Sequence, residues 1–363
     1  AVNSYTKNYM AGYKALGREL DANALRNHFY RFPGVDNSTD KTLSAMLRMA
    51  VIAQTQEAFE KAPAETDEQR AAKAAQEGLV KQLFVELKRD FKPSDLPPYT
   101  LVKLGMHLAN TSQPEESIAY FDEILDPSEP NPVRKQARIN GMSKYRKNAV
   151  FGKAVALGRS KDNAKVDTAI KMMRDELSKE ESSSNPDRKA MEDAQYNLVK
   201  FTAARQDWPA VIAAAEKYRA DKSYKKNLPE VLFLQGQAYL KQNEPDKALV
   251  CFMNITGADY KGLVKWSAPA MLAQMDTLWN RNKMSQGTGK QPSDRYVAWR
   301  TGSQYVQLLD TPANRKRMTA EDSDLLNQVK DKVSRFGSDP AVSQERSDIA
   351  AYEAAIRSAR GQK

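Results

Sequence analysis

Two stretches of this chain share one spacing while their identities drift. Leu101, Leu104, Gly105, Leu108, Ser117 and Phe121 are followed, 131 positions later, by Leu232, Gln235, Gly236, Tyr239, Ala248 and Phe252. In each stretch a large residue comes four before a glycine and another three after it. A small residue follows at twelve and an aromatic at sixteen. A proline stands nine after each glycine, at Pro114 and Pro245. Fixed spacing with changing side chains marks a repeated structural unit. Such units bury their apolar faces only by stacking on neighbours. This constrains a chain of 363 residues, longer than one compact core usually is, to several globular domains or one elongated stack of units.

The periodicity is helical almost throughout. Tyr9, Tyr13, Leu16 and Leu20 form one stripe over 5–20, and Leu25, Phe29 and Phe32 carry a shorter one. Helices are expected over 42–61 and 70–89, separated by an acidic loop. Lys92-Pro93-Ser94-Asp95-Leu96-Pro97-Pro98 then breaks the chain. Helix pairs follow at 98–110 with 114–125, 150–159 with 164–177, 189–205 with 208–220, and 229–242 with 245–255. An extra helix is expected over 133–146, weakened at Gly141. The C-terminal part reads as helices over 269–280, 295–309, 319–336 and 342–360, with Pro269 in the first turn of its helix. The last of these is expected to cap the final apolar face. No sustained alternation of β-branched residues indicates a strand. The expected division is 1–92, 93–260 and 261–363.

The two stretches resemble the tetratricopeptide repeat, a helix-turn-helix unit of 34 residues. The first supplies Leu101, Leu104, Gly105, Leu108, Ser117, Phe121 and Ile124. The second supplies Leu232, Gly236, Tyr239, Ala248, Phe252 and Ile255, with Gln235 where the family has leucine. Weaker copies place Leu198, Ala214 and Tyr218 in matching slots with Thr202 in the glycine slot, and Ala169 and Met173 with Leu157 there. The resemblance covers 98 to about 260. It implies an all-α fold, a right-handed superhelical α-solenoid of antiparallel helix pairs with flanking helical segments. It also implies that the first helix of each unit lines a concave face. That face would carry Tyr99, Val102, Met106 and Ala109 in one copy and Glu230, Phe233, Gln237 and Leu240 in the other. These slots are largely apolar and lack the lysine, asparagine and arginine of the family's carboxylate clamp. An amphipathic helix or extended peptide suits them, as do the chain's own terminal helices.

Catalytic and metal-binding patterns are not found in the sequence. The two histidines, His28 and His107, lie far apart with no carboxylate or cysteine at ligand spacing. No cofactor is expected. Gly287-Thr288-Gly289-Lys290 lacks the spacing, the hydroxyl residue and the strand of a phosphate loop. Cys251, alone of its kind, reads as a small apolar core residue. The chain is therefore expected not to be an enzyme.

Charge is the remaining signal. The chain carries a net charge of +10, and residues 131–175 hold twelve lysines and arginines against three aspartates. Arg134, Lys135, Arg138, Lys144, Arg146 and Lys147 are the candidates to meet an anionic partner. Only Tyr145 and Phe151 offer stacking nearby, which disfavours nucleic acid. No apolar run reaches the roughly 18 residues of a membrane span. Scarce cysteine and a start at Ala1 without methionine lead to the expectation of an exported protein of a bacterial cell envelope or periplasm, with the cytoplasm as alternative. The expected function is a scaffold that binds another protein or peptide. The alternative is a module for an anionic polymer or membrane surface through 131–175.

Overall fold

The computed structural model describes residues 41–361, apart from 63–65, 112, 258–263, 288–290 and 316. The helices expected over 5–20 and 25–32, and His28, lie outside the described residues. What is described is all helical, with no strand among the described residues, and consecutive helices pack on one another. The chain divides into two compact units, residues 1–175 and 176–363.

The first unit contains α1 (Lys41–Lys61), α2 (Asp67–Asp90), α3 (Pro98–Asn110), α4 (Pro114–Leu125), α5 (Pro132–Met142), α6 (Arg146–Gly158) and the start of α7 (Asn163–Glu181). Several starts have a local cause. Thr66 and Gln69 form a reciprocal capping box on α2. Pro98 and Pro114 open α3 and α4 at the position where the missing N–H is no loss. Asn131 caps α5 by accepting from the N–H groups of Val133 and Arg134. The core joins Met49 and Ile52 of α1, Leu83 and Leu87 of α2, Leu101 and Leu104 of α3, and Phe121 of α4. Arg48 is buried among them, its charge met by Asp90 at 2.5 Å and by the face of Phe91.

The second unit contains the end of α7, then α8 (Arg188–Ala204), α9 (Trp208–Ala220), α10 (Leu228–Lys241) and α11 (Pro245–Thr256). After these come α12 (Val264–Arg281), α13 (Asp294–Leu309), α14 (Ala320–Gly337) and α15 (Pro340–Gly361). Pro269 sits inside α12, not in its first turn as expected, because Val264 and Ala268 are buried and extend the helix backward. A proline so near the start removes one hydrogen bond and leaves the rest of the ladder intact. Arg281 grips Asp294 with two hydrogen bonds, at 2.7 and 2.6 Å, which ties the end of α12 to the start of α13.

The repeated spacing has a direct structural meaning. A Cβ on Gly105 would stand 2.8 Å from the Phe121 ring, and one on Gly236 would stand 2.5 Å from the Phe252 ring. Each aromatic, sixteen residues on, packs closely against its own glycine, and every paired slot of the two copies is buried. In the first copy the same ring also meets Gly152 of α6, where a Cβ would come within 2.2 Å.

The match also runs further back than the motif. The connections 91–97 and 221–227 are equal in length, and buried Val80 and Leu87 correspond to buried Val211 and Tyr218 at the offset of 131. The extra helix α5 interrupts the first copy's sequel. Only Met142 of it is buried, and α4 packs directly on α6 past it. Its end, next to Gly141, tightens into a 3₁₀ turn over Ser143–Tyr145.

Candidate interaction surfaces

The slots assigned to an inner face divide by exposure. Tyr99, Met106 and Leu240 are exposed by 44%, 37% and 37%, and Gln237 is exposed as well. Phe233 is half-buried, its ring tilted on Phe252 at 5.9 Å. Val102 and Ala109, expected to face outward, are instead buried in the first unit's core. The cause is crowding: α3 touches α1, α2, α4 and α6 and so has neighbours on more than one side. Glu230 is engaged within the chain, accepting from the Tyr196 hydroxyl at 2.5 Å and facing Lys200 at 3.4 Å. Tyr99 and Met106 belong to the first unit, and Phe233, Gln237 and Leu240 to the second.

The basic stretch is largely stitched to the chain itself. Lys135 pairs with Asp126 at 2.6 Å, Arg138 with Glu123 at 3.1 Å, Lys153 with Asp122 at 2.6 Å and Lys165 with Glu115 at 2.8 Å. Arg146 donates to the carbonyl of Leu125, and Arg159 to that of Ala109. Lys144 lies over the Tyr145 ring, and Lys147 is also engaged within the chain. Arg134, at the start of α5, is exposed. Much of the positive charge therefore balances the acidic residues of α4. The signal was present in the sequence, since Glu115, Asp122 and Asp126 recur at helical spacing just upstream of the basic run.

A cleft of about 680 Å³ lies between the 282–293 connection and α15, lined by Met284, Pro292, Arg300, Ile349 and Tyr352. Three carboxylates edge it, and each has a partner. Glu345 accepts from the N–H and hydroxyl of Ser293, Asp348 accepts from Gln344, and Glu353 faces Arg357. They follow one another on a single exposed helix and do not converge as an acid–base pair. Among the described residues no group of three or more His, Cys, Asp or Glu is placed to hold a metal ion, and no helix is long and apolar enough to cross a membrane.

His107 stacks on Phe84 at 4.0 Å. Burial, and then the charge of Lys81, holds its pKa below the ordinary histidine value. Burial pushes the Cys251 thiol up to about 11, the environment of a core residue and not of a nucleophile. No model of a known protein family matches the chain, and no curated protein matches it.

Proposed function

We propose that this protein is a non-enzymatic helical-repeat scaffold of tetratricopeptide type that holds another protein or peptide. The observation that carries this reading is the exposure of large apolar side chains at Tyr99, Met106 and Leu240 on helices whose other large apolar residues are buried or half-buried. The surface these side chains leave open to solvent suits the apolar face of an amphipathic helix or an extended peptide. The packing of successive helices within each unit supports the repeat: α3 on α4 and α4 on α6 in the first, and the series from α8 to α13 in the second, gain their buried surface from their neighbours. A cell-envelope setting belongs to the same reading and is tested by fractionation of the source cells.

The test is affinity capture with the full chain and with a Met106→Glu/Leu240→Glu double variant. Both positions are partly open, so helicity and melting should stay close to native. A partner bound by the native chain should be retained at least about tenfold less well, since a buried carboxylate without a counter-ion is strongly unfavourable. Equal retention would remove both patches from the reading. A second observation bears on the anionic-surface alternative: with Lys135, Arg138, Lys153 and Lys165 already paired, 131–175 presents less free charge than its composition suggests.

A further inference from the structure

The connection between α9 and α10 opens a cleft of about 320 Å³, at the small end of ligand-sized sites. Its polar side carries Arg219, Lys222, Lys225 and Asn254, and its apolar side Tyr224, Leu228 and Leu232. Lys222 and Lys225 are exposed, and no carboxylate pairs with either among the described residues. Asp221 also borders the cleft, and its carboxylate has partners of its own. Arg188 lies 3.2 Å away, and the N–H and hydroxyl of Ser223 donate to it at 2.9 and 2.7 Å. Lys226, next along, turns its N–H to Glu192.

The same place in the first copy is occupied by the chain itself. Subtracting the offset of 131 takes Asn254 to Glu123, Lys225 to Ser94 and Leu232 to Leu101. There the position is filled by Arg138 of the inserted helix α5, which pairs with Glu123 at 3.1 Å and donates to the Ser94 carbonyl at 3.0 Å. One copy therefore takes a cation from its own chain onto a carboxylate. In the other copy only seven residues separate α11 from α12, too few for a counterpart of the eleven-residue α5; the carboxylate is replaced by Asn254, and Lys222 and Lys225 stand where Phe91 and Ser94 stand.

A second departure from the repeat points to the same spot. Gln235 occupies, fully buried, the slot filled by Leu104 in the first copy. A buried amide is costly unless it is used. Its Oε1 accepts from Arg219 at 2.9 Å, which fixes that guanidinium at the rim of the cleft.

We infer that the α9–α10 cleft binds a small organic anion, its charged group, a phosphate monoester or carboxylate, set against Arg219, Lys222 and Lys225 and its apolar part on Tyr224, Leu228 and Leu232. Arginine supplies directional hydrogen bonds to such a group and the two lysines supply charge. This site is independent of the apolar patches of α3 and α10 and stands or falls separately from them.

The experiment is calorimetric titration of the full chain with phenyl phosphate, inorganic phosphate and benzoate. Saturable one-site binding of phenyl phosphate or benzoate is expected, with inorganic phosphate weaker by roughly tenfold for want of the apolar contact. The tighter of the two organic anions assigns the charged group. Asn254→Glu, which restores the first copy's carboxylate, and Lys222→Gln/Lys225→Gln should each weaken binding by about tenfold or more. All three positions are exposed, so thermal melts should be unchanged. The site is overturned by absence of saturation with all three anions, or by native affinity in both variants. Equal weakening by Lys161→Gln/Lys171→Gln, far along the chain, would reduce the effect to net charge and overturn it as well.

Discussion

At the scale of single residues, glycine carries opposite meanings at different positions. Gly152 faces the Phe121 ring so closely that an added methyl must displace it, whereas a Cβ on Gly78 of α2 meets nothing within 4 Å. Gly152→Ala should destabilise the protein by roughly 3 kcal/mol through overpacking. Gly78→Ala should stabilise it by about 1 kcal/mol through helix propensity. Urea denaturation of the pair measures both, and a shared sign would contradict the ring contact. His107 offers a second measurement. Its pKa is lowered in the folded state, so the unfolded chain binds the proton first. The stability from its neutral form is complete above the ordinary histidine pKa. It is lost as pH falls from there to the lowered folded value and levels off below. The urea midpoint of the native chain should drop more between pH 7.5 and 5.5 than that of His107→Gln. An equal drop would assign the effect elsewhere. The stacking of His107 on Phe84 was not readable from spacing, because the two residues sit on different helices and only the crossing of α2 and α3 brings them together.

At the scale of elements, the boundaries were largely legible. Pro98, Pro114 and Pro245 mark helix starts whose cause is chemical, and α3, α4 and α9 end where periodicity ends. Less legible was what a helix does once formed. The charge run of α5 and α6 reads as a solvated or anion-seeking face. In the fold Lys135 and Arg138 instead hold α5 against α4 through Asp126 and Glu123. Sequence distance hides this, since the acids precede the bases by a turn and a connection. Because Glu123 is nearly buried, Arg138→Met should cost about 1–3 kcal/mol, the penalty of a carboxylate left short of a partner. Hydrogen exchange should then accelerate across 132–145, and the core helices α3 and α4 should keep their relative protection. Uniform acceleration would mean that α5 is integral to the core and not an added strap. Val102 illustrates the same limit. Its slot is outward by pattern, yet α3 has too many neighbours for that side to stay open.

At the scale of the whole molecule, the described residues form two compact units whose border, after Asp175, falls within the continuous helix α7. The proline-rich break at 93–98 lies inside the first unit, because prolines punctuate the backbone and say nothing about which helices share a core. A fragment cut at residue 175 would sever α7. One beginning at Ser183, in the loop before the cap of α8 by Asp187, keeps α8 to α15 whole. The 183–361 fragment should retain its helicity and melt cooperatively, as checked by circular dichroism and calorimetry. Loss of structure would show that the second unit depends on the first. The caged ring of Phe121 carries a last consequence, for motion. Held between Gly105 and Gly152 with no exposed surface, it has no room to turn about its Cβ–Cγ bond unless α3, α4 and α6 part briefly. Its half-turn is thus a clock for the breathing of those three helices. Proton spectra should resolve the two edges of the ring as distinct signals at ambient temperature, while the half-open ring of Phe233 averages to one set.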